Sequence, residues 1–262
     1  MIGGLTSDEI NACAEIVRKG DPDRFRVAMA APPDARARML PVLALNVEVA
    51  RAPYLTAEPI IAQMRLQWWH DAVAEAVAGQ DRAHEVAGPL GKIIRNWGLP
   101  KQSLDRLIAA RMWDIEGVGF DDDAAFQNHI NATGGELLRL AAVALGLPED
   151  REGAALDAGY AMGLANWFLA IPALEASGKR PLVDGRLDAV RTHAEIGLDR
   201  LTSAKSEPGL EPAFPAFRLA ALAGPVLSQV RRDPASVADG RLAISEFRKR
   251  ARILRLSILG AW

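Results

Sequence analysis

An all-α fold follows from three observations. Apolar residues recur at helical spacing almost throughout, no stretch shows the strict alternation of a half-buried strand, and prolines and glycines fall where helices start and stop. Half of the 262 residues are hydrophobic, enough for a sizeable core. Neither a fixed-period repeat nor a low-complexity linker divides the chain, so one domain over 1–262 is expected.

Taken in order, Thr6 and Glu9 are spaced as a capping box, and the first helix runs on to Gly20. Asp21-Pro22 reads as cap and first helical position, and Pro32-Pro33 ends one helix and opens the next. Glu58-Pro59 starts a run through Ile60, Met64, Trp68 and Val77 that Gly79 closes. Gly88 to Trp97, Gln102 to Glu116 and Asp123 to Leu145 keep the helical period, with Gly98-Leu99-Pro100 and Gly146-Leu147-Pro148 as stops. Residues 149–176 read as one long helix kinked at Pro172, and 186–203, 212–232 and 242–259 complete a set of about ten.

Composition excludes several classes of function. Thirty-one basic against 33 acidic residues leave a net charge of -2, so no nucleic-acid footprint is expected. One cysteine, Cys13, and four scattered histidines give neither a disulfide nor a zinc framework, which fits a reducing compartment. Met1 to Leu5 lack the basic and apolar regions of a secretory signal, and no window reaches the roughly 18 apolar residues of a membrane span. Gly117 and Gly119 lack the third glycine of a dinucleotide fingerprint, His84-Glu85 lacks a second zinc-protease histidine, and no phosphate loop or nucleophile elbow occurs. Asn131-Ala132-Thr133 matches a glycosylation acceptor by chance, inside a predicted helix.

Several segments together carry a resemblance. Asp21-Pro22-Asp23-Arg24-Phe25, the stretch Leu43 to Arg51, and Arg65 to Val73 with its Trp68-Trp69-x-Asp71 block are followed by Thr133 to Leu138 and Gly163 to Pro172. In order and spacing they resemble the squalene and phytoene synthase family over roughly 20–262, and Phe247 to Trp262 resembles its final basic helix. The Trp-Trp-x-Asp block and the segment ending in Pro172 point to a bacterial branch close to mitochondrial complex I assembly factors. The resemblance implies an isoprenoid synthase fold, with helices around a central cavity and two aspartate-rich motifs facing across its mouth. In such enzymes magnesium neutralises a departing diphosphate, and carboxylates four residues apart on a helix hold the ion.

This chain departs from that pattern at both motifs. The first is reduced to Asn46 and Glu48, and the second to Asn166, Leu169, Ala170 and Leu174, where the synthases carry Arg and Asp. Losing one preorganised electrostatic contact costs on the order of a hundredfold in rate, and most of both sets is missing here. The expectation is a pseudoenzyme without metal or cofactor, acting as a respiratory complex I assembly or binding factor. The alternative is a divergent head-to-head prenyl transferase for farnesyl or geranylgeranyl diphosphate, using magnesium with Glu48, Asp71, Asp114 and the Arg residues.

Other candidates carry two readings each. Gly159 with Gly163, and Gly134-Gly135, serve close helix packing or leave room for an isoprenoid or lipid ligand. Trp68, Trp69, Trp113 and Trp167 are core or cavity wall, and Asp71, Asp114, Gly135 and Gly163 join them as cavity candidates. His70 and His129 read as helix-surface or satisfied polar groups. Asp71/Glu75 and Asp81/Glu85 read as solvated helix faces, and Asp121 to Asp123 as a helix N-cap.

On the last helix Ile244, Phe247, Ala251, Leu254 and Ile258 share one face, read as core-packing, with Arg248, Arg252 and Arg255 among the cations on the other sides. Six basic residues and one acidic lie between Arg241 and Trp262. They fit an anionic membrane surface or an acidic partner such as a complex I subunit, with Trp262 as an interfacial aromatic. The expected place of work is cytoplasmic, at the inner face of the membrane.

Overall fold

The structure, a computed structural model, describes residues 4–117 and 119–262, so most of the segment read for a signal, Met1 to Gly3, lies outside the described residues. No β-strand occurs among the described residues. The first helices are α1 (Ser7–Gly20), α2 (Pro22–Met29) and α3 (Pro33–Arg51). Their starts follow the sequence: Thr6 and Glu9 form a reciprocal capping box, and the Asp21 carboxylate accepts from the Arg24 amide. Next come α4 (Pro59–Val77), α5 (Ala87–Trp97), α6 (Lys101–Ala109), α7 (Met112–Glu116), α8 (Asp123–Ile130) and α9 (Glu136–Val143). The remainder is α10 (Glu152–Ala176), α11 (Leu187–Ser206), α12 (Phe214–Phe217), α13 (Ala223–Arg232), α14 (Ala235–Ala238) and α15 (Glu246–Ile258).

Three expected helices are broken. The 102–116 segment divides into α6 and α7 at Ala110-Arg111, which gives Arg111 its own orientation. The 123–145 segment is interrupted by a π-helical turn, Asn131–Gly135, between α8 and α9. The 212–232 segment becomes α12, short flanking turns and α13. By contrast, α10 continues through Pro172 to Ala176.

Two helices organise the core. In α3 every residue from Met39 to Val49 is buried, so this helix is enclosed on all sides. Helix α10 is buried mainly between Ala154 and Phe168 and is flanked by α9, α11, α13 and the π-helical turn. The crossing of α10 with that turn is set by glycine. A Cβ on Gly134 would sit 2.5 Å from the Gly159 carbonyl oxygen, and one on Gly159 would sit 2.6 Å from that of Gly134. Both contacts are backbone to backbone, where neither partner can rotate away. The packing reading of these glycines therefore holds, and Gly134 and Gly163 also reach the cavity wall.

Among the described residues no single helix is long and apolar enough to cross a membrane. A bent pair, Glu211–Ala220 with Ala223–Arg232, passes on composition, and its Phe217, Leu227 and Val230 are fully buried in the core.

Gly159→Ala should lower stability by about 1–3 kcal/mol through overpacking. Gly153→Ala, on the same helix with nothing within 4 Å of the added carbon, should raise it slightly. Thermal melts of the two variants check this, and an unchanged midpoint in Gly159→Ala would contradict the close crossing.

Candidate functional site

Between α3 and α10 lies a cavity of about 1400 Å³, with further walls from α1, α2 and α15. It exceeds the ~300–1,000 Å³ usual for small-molecule sites. Asn46 and Glu48 on α3 line one side, and Asn166, Leu169, Ala170 and Leu174 on α10 line another, so the structure brings both degenerate motifs to one space. Asp114, Gly163 and Trp167 also reach it.

Four other candidates do not line the cavity. Trp69 is buried in the core, edge-on to Trp68 at 4.9 Å, and both rings pack against His84. The Arg82 guanidinium lies 4.9 Å over Trp68 and is held there by Glu75. Asp71 is exposed and accepts from Gln67 at 2.8 Å. Gly135 faces Leu156 across the helix crossing. The Trp-Trp-x-Asp block thus fastens α4 to the loop after it. Glu75 with Arg82 and Asp81 with Arg95 are ion pairs rather than free carboxylates, and Asp122 caps α8 by accepting from the Ala125 amide.

Cations of the chain sit beside several carboxylates of the cavity wall, while Glu48 Oε1 and Asp114 Oδ2 are buried without a hydrogen-bond partner. Glu48 lies beside Arg51 at 2.6 Å. Asp21 pairs with Arg24, and Asp23 pairs with Arg26 at 2.5 Å and Lys249 at 2.7 Å. Asp114 accepts from the Tyr54 hydroxyl at 2.8 Å and faces Arg111 at 3.7 Å. Arg111 also donates to the Asn46 side-chain oxygen at 3.1 Å, so a guanidinium reaches the first motif. Burial lowers the pKa of Arg111, while burial and the Asp114 charge raise that of Tyr54.

Two facing carboxylate sets, which the family resemblance implies for a magnesium–diphosphate site, are not present on both walls. Of the six carboxylates at the cavity, Glu15, Asp21, Asp23, Glu48 and Asp114 lie beside a cation, Glu85 has no ion pair among the described residues, and α10 contributes none. Among the described residues no group of three or more His, Cys, Asp or Glu is placed to hold a metal ion.

Sequence reasoning passed over Arg111 and misjudged His129. Arg111 stands in an ordinary helical pattern, and only its i,i+3 spacing to Asp114 hinted at a pairing. His129 is 8% exposed rather than a surface group, and its Nε2 has no hydrogen-bond partner. It packs among Trp113, Phe120 and Trp167 at ring distances of 5.0–5.6 Å. Trp167 donates from its indole nitrogen to the Pro181 carbonyl at 2.9 Å, which fixes this ring at the cavity wall.

The last helix is oriented opposite to the expectation. Phe247, Ala251, Leu254 and Ile258 face solvent, while Ile244, just before the helix, packs on the core as expected and lines the cavity with Lys249 and Ile253. Arg252 also turns inward and donates to the Ala221 carbonyl at 2.5 Å, whereas Arg248 and Arg255 are exposed. Trp262 is no free interfacial aromatic: it packs on Phe217 at 4.7 Å, and Arg218 donates to the adjoining Ala261 carbonyl.

Helices closing around a deep cavity between two motif-bearing central helices define an isoprenoid synthase fold. Squalene synthase HpnC from Alicyclobacillus acidocaldarius shares it at a TM-score of 0.71 with 19% identity, covering 90% of this chain and 95% of that one. A dehydrosqualene synthase solved with a ligand matches at 0.72 with 14% identity, over 96% and 95% of the two chains. The chain belongs to the squalene/phytoene synthase family, whose model matches residues 17–183. It is also similar to NADH dehydrogenase (ubiquinone) complex I assembly factor 6, at 27% identity to the Mus musculus protein and 26% to the Homo sapiens protein over 161 residues. That match covers 61% of this chain, which spans about half the length of these curated relatives (48%).

Burial, then the Arg111 charge, lowers the His129 pKa to about 3 from the ordinary 6.5. Between these values the unfolded chain binds a proton that the folded chain refuses, so this contribution is complete above about pH 6.5 and is lost as pH falls toward 3. His129→Phe should therefore lose less stability than the parent between pH 7 and pH 4 in denaturant titrations. Equal losses would contradict a buried neutral imidazole.

Proposed function

We propose that this chain is a member of the family that has lost magnesium–diphosphate catalysis and works as a membrane-peripheral assembly or binding factor of the respiratory complex I assembly type. The observation that carries this reading is an α10 wall without carboxylates, opposite an α3 wall whose single carboxylate, Glu48, lies beside Arg51. Ionising an allylic diphosphate requires metal at the leaving group, and wall carboxylates already neutralised by arginine and lysine compete poorly for it. The similarity to complex I assembly factor 6 supports the assembly role, in which the partners are a membrane surface and a complex I subunit. The workplace is the cytoplasmic, inner face of the membrane, and the cavity is kept for an isoprenoid or lipid.

The test is pyrophosphate release by the purified, folded chain given farnesyl or geranylgeranyl diphosphate with magnesium or manganese and detergent. Release at the level of a protein-free control is expected. Sustained metal-dependent release, persisting after contaminating phosphatases are removed, would overturn the reading in favour of a prenyl transferase.

A further inference from the structure

The side of α15 turned away from the protein carries residues that a solvated surface does not explain. Phe247 is 80% exposed, Leu254 60% and Ile258 73%, and with Ala251 their spacing makes one stripe down the helix. Leu259, just past the helix end, is 63% exposed beside them. Arg248, Arg250 and Arg255 are exposed along the same helix. Its one acidic residue, Glu246, is engaged by Arg26 at 3.0 Å and Lys249 at 3.1 Å.

The orientation is fixed from the inner side. Lys249 reaches Asp23, Arg252 reaches the Ala221 carbonyl, and Ile253 is buried between them. Turning α15 to hide Phe247 and Leu254 would break both polar contacts and expose Ile253. The stripe is therefore a built feature of the folded chain.

We propose that α15 is a docking helix that lies in the plane of an anionic lipid bilayer, with Phe247, Leu254 and Ile258 entering the acyl boundary and Arg248, Arg250 and Arg255 meeting the phosphates. This deepens the membrane part of the proposed function and rests on it. The apolar stripe alone would suit any apolar partner, and the cations beside it select an anionic one. At 13 residues α15 is about 20 Å long, which suits a helix lying flat and is too short to span. The inner side of α15 supplies Lys249 and Ile253 to the cavity, so docking sets one wall of the cavity against the bilayer.

The test is co-sedimentation of the full chain with vesicles of phosphatidylcholine alone and of phosphatidylcholine mixed with phosphatidylglycerol. Binding to the anionic vesicles only is expected, weakening as salt is raised. Arg248→Glu with Arg255→Glu should reduce it at least tenfold, and so should Phe247→Ser with Ile258→Ser. Arg186→Glu, an exposed arginine outside α15, should leave it unchanged. All these residues are exposed, and circular dichroism melts verify that the variants fold. Equal binding to neutral vesicles, parental binding by both α15 variants, or absence of binding to either vesicle would overturn the inference; in the last case the stripe belongs to a protein surface. Pyrophosphate release is read without vesicles, so this inference and the loss of catalysis fail separately.

Discussion

The charge pairing inside the cavity wall constrains everything else about this molecule. A buried carboxylate is tolerated only with a partner, and the partner decides what the site can do. Here the cations are covalent parts of the chain: Arg24, Arg51, Arg111 and Lys249 neutralise Asp21, Glu48, Asp114 and Asp23. Arg111 reaches both the first motif and Asp114, and it can do so because the helix before it ends at Ala109 and a new one begins at Met112. The cavity walls are therefore compatible with folding in the absence of any ligand.

The scaffold around the cavity follows from packing rather than from chemistry. The crossing of α10 with the π-helical turn places two backbones in contact, and it holds the second motif opposite α3. On the far side α15 closes the cavity through Lys249 and Ile253 while turning its apolar stripe outward. One helix thus serves as wall and as surface, and its charged residues are divided between the two tasks: Lys249 and Arg252 inward, Arg248 and Arg255 outward.

Much of this was legible in the sequence, because periodicity and capping are local. The Thr6–Glu9 box, the Asp21 cap and the proline starts of α2, α3 and α4 all stand where the residues put them. The π-helical turn was not legible, since Gly134-Gly135 signals a special backbone without saying which one, and the reason lies 25 residues away at Gly159. The sidedness of α15 was hidden for a similar reason. Its period defines a stripe, whereas Asp23 and Ala221 on other elements decide which side faces in. For Trp68 and Trp69 the core reading holds rather than the cavity wall, a choice that needed the contacts with His84 and Arg82. The loss of carboxylates at the second motif was readable directly, but the engagement of the survivors by arginine and lysine needed the fold.

The proposed loss of catalysis requires that the cavity hold no metal–diphosphate complex. Manganese binding followed by electron paramagnetic resonance, with and without a non-hydrolysable farnesyl diphosphate analogue, addresses it directly. The expected spectrum stays that of manganese free in solution or bound to the analogue alone, whatever the protein concentration. A protein-bound manganese signal that forms with the analogue and disappears in Glu48→Gln would contradict the account.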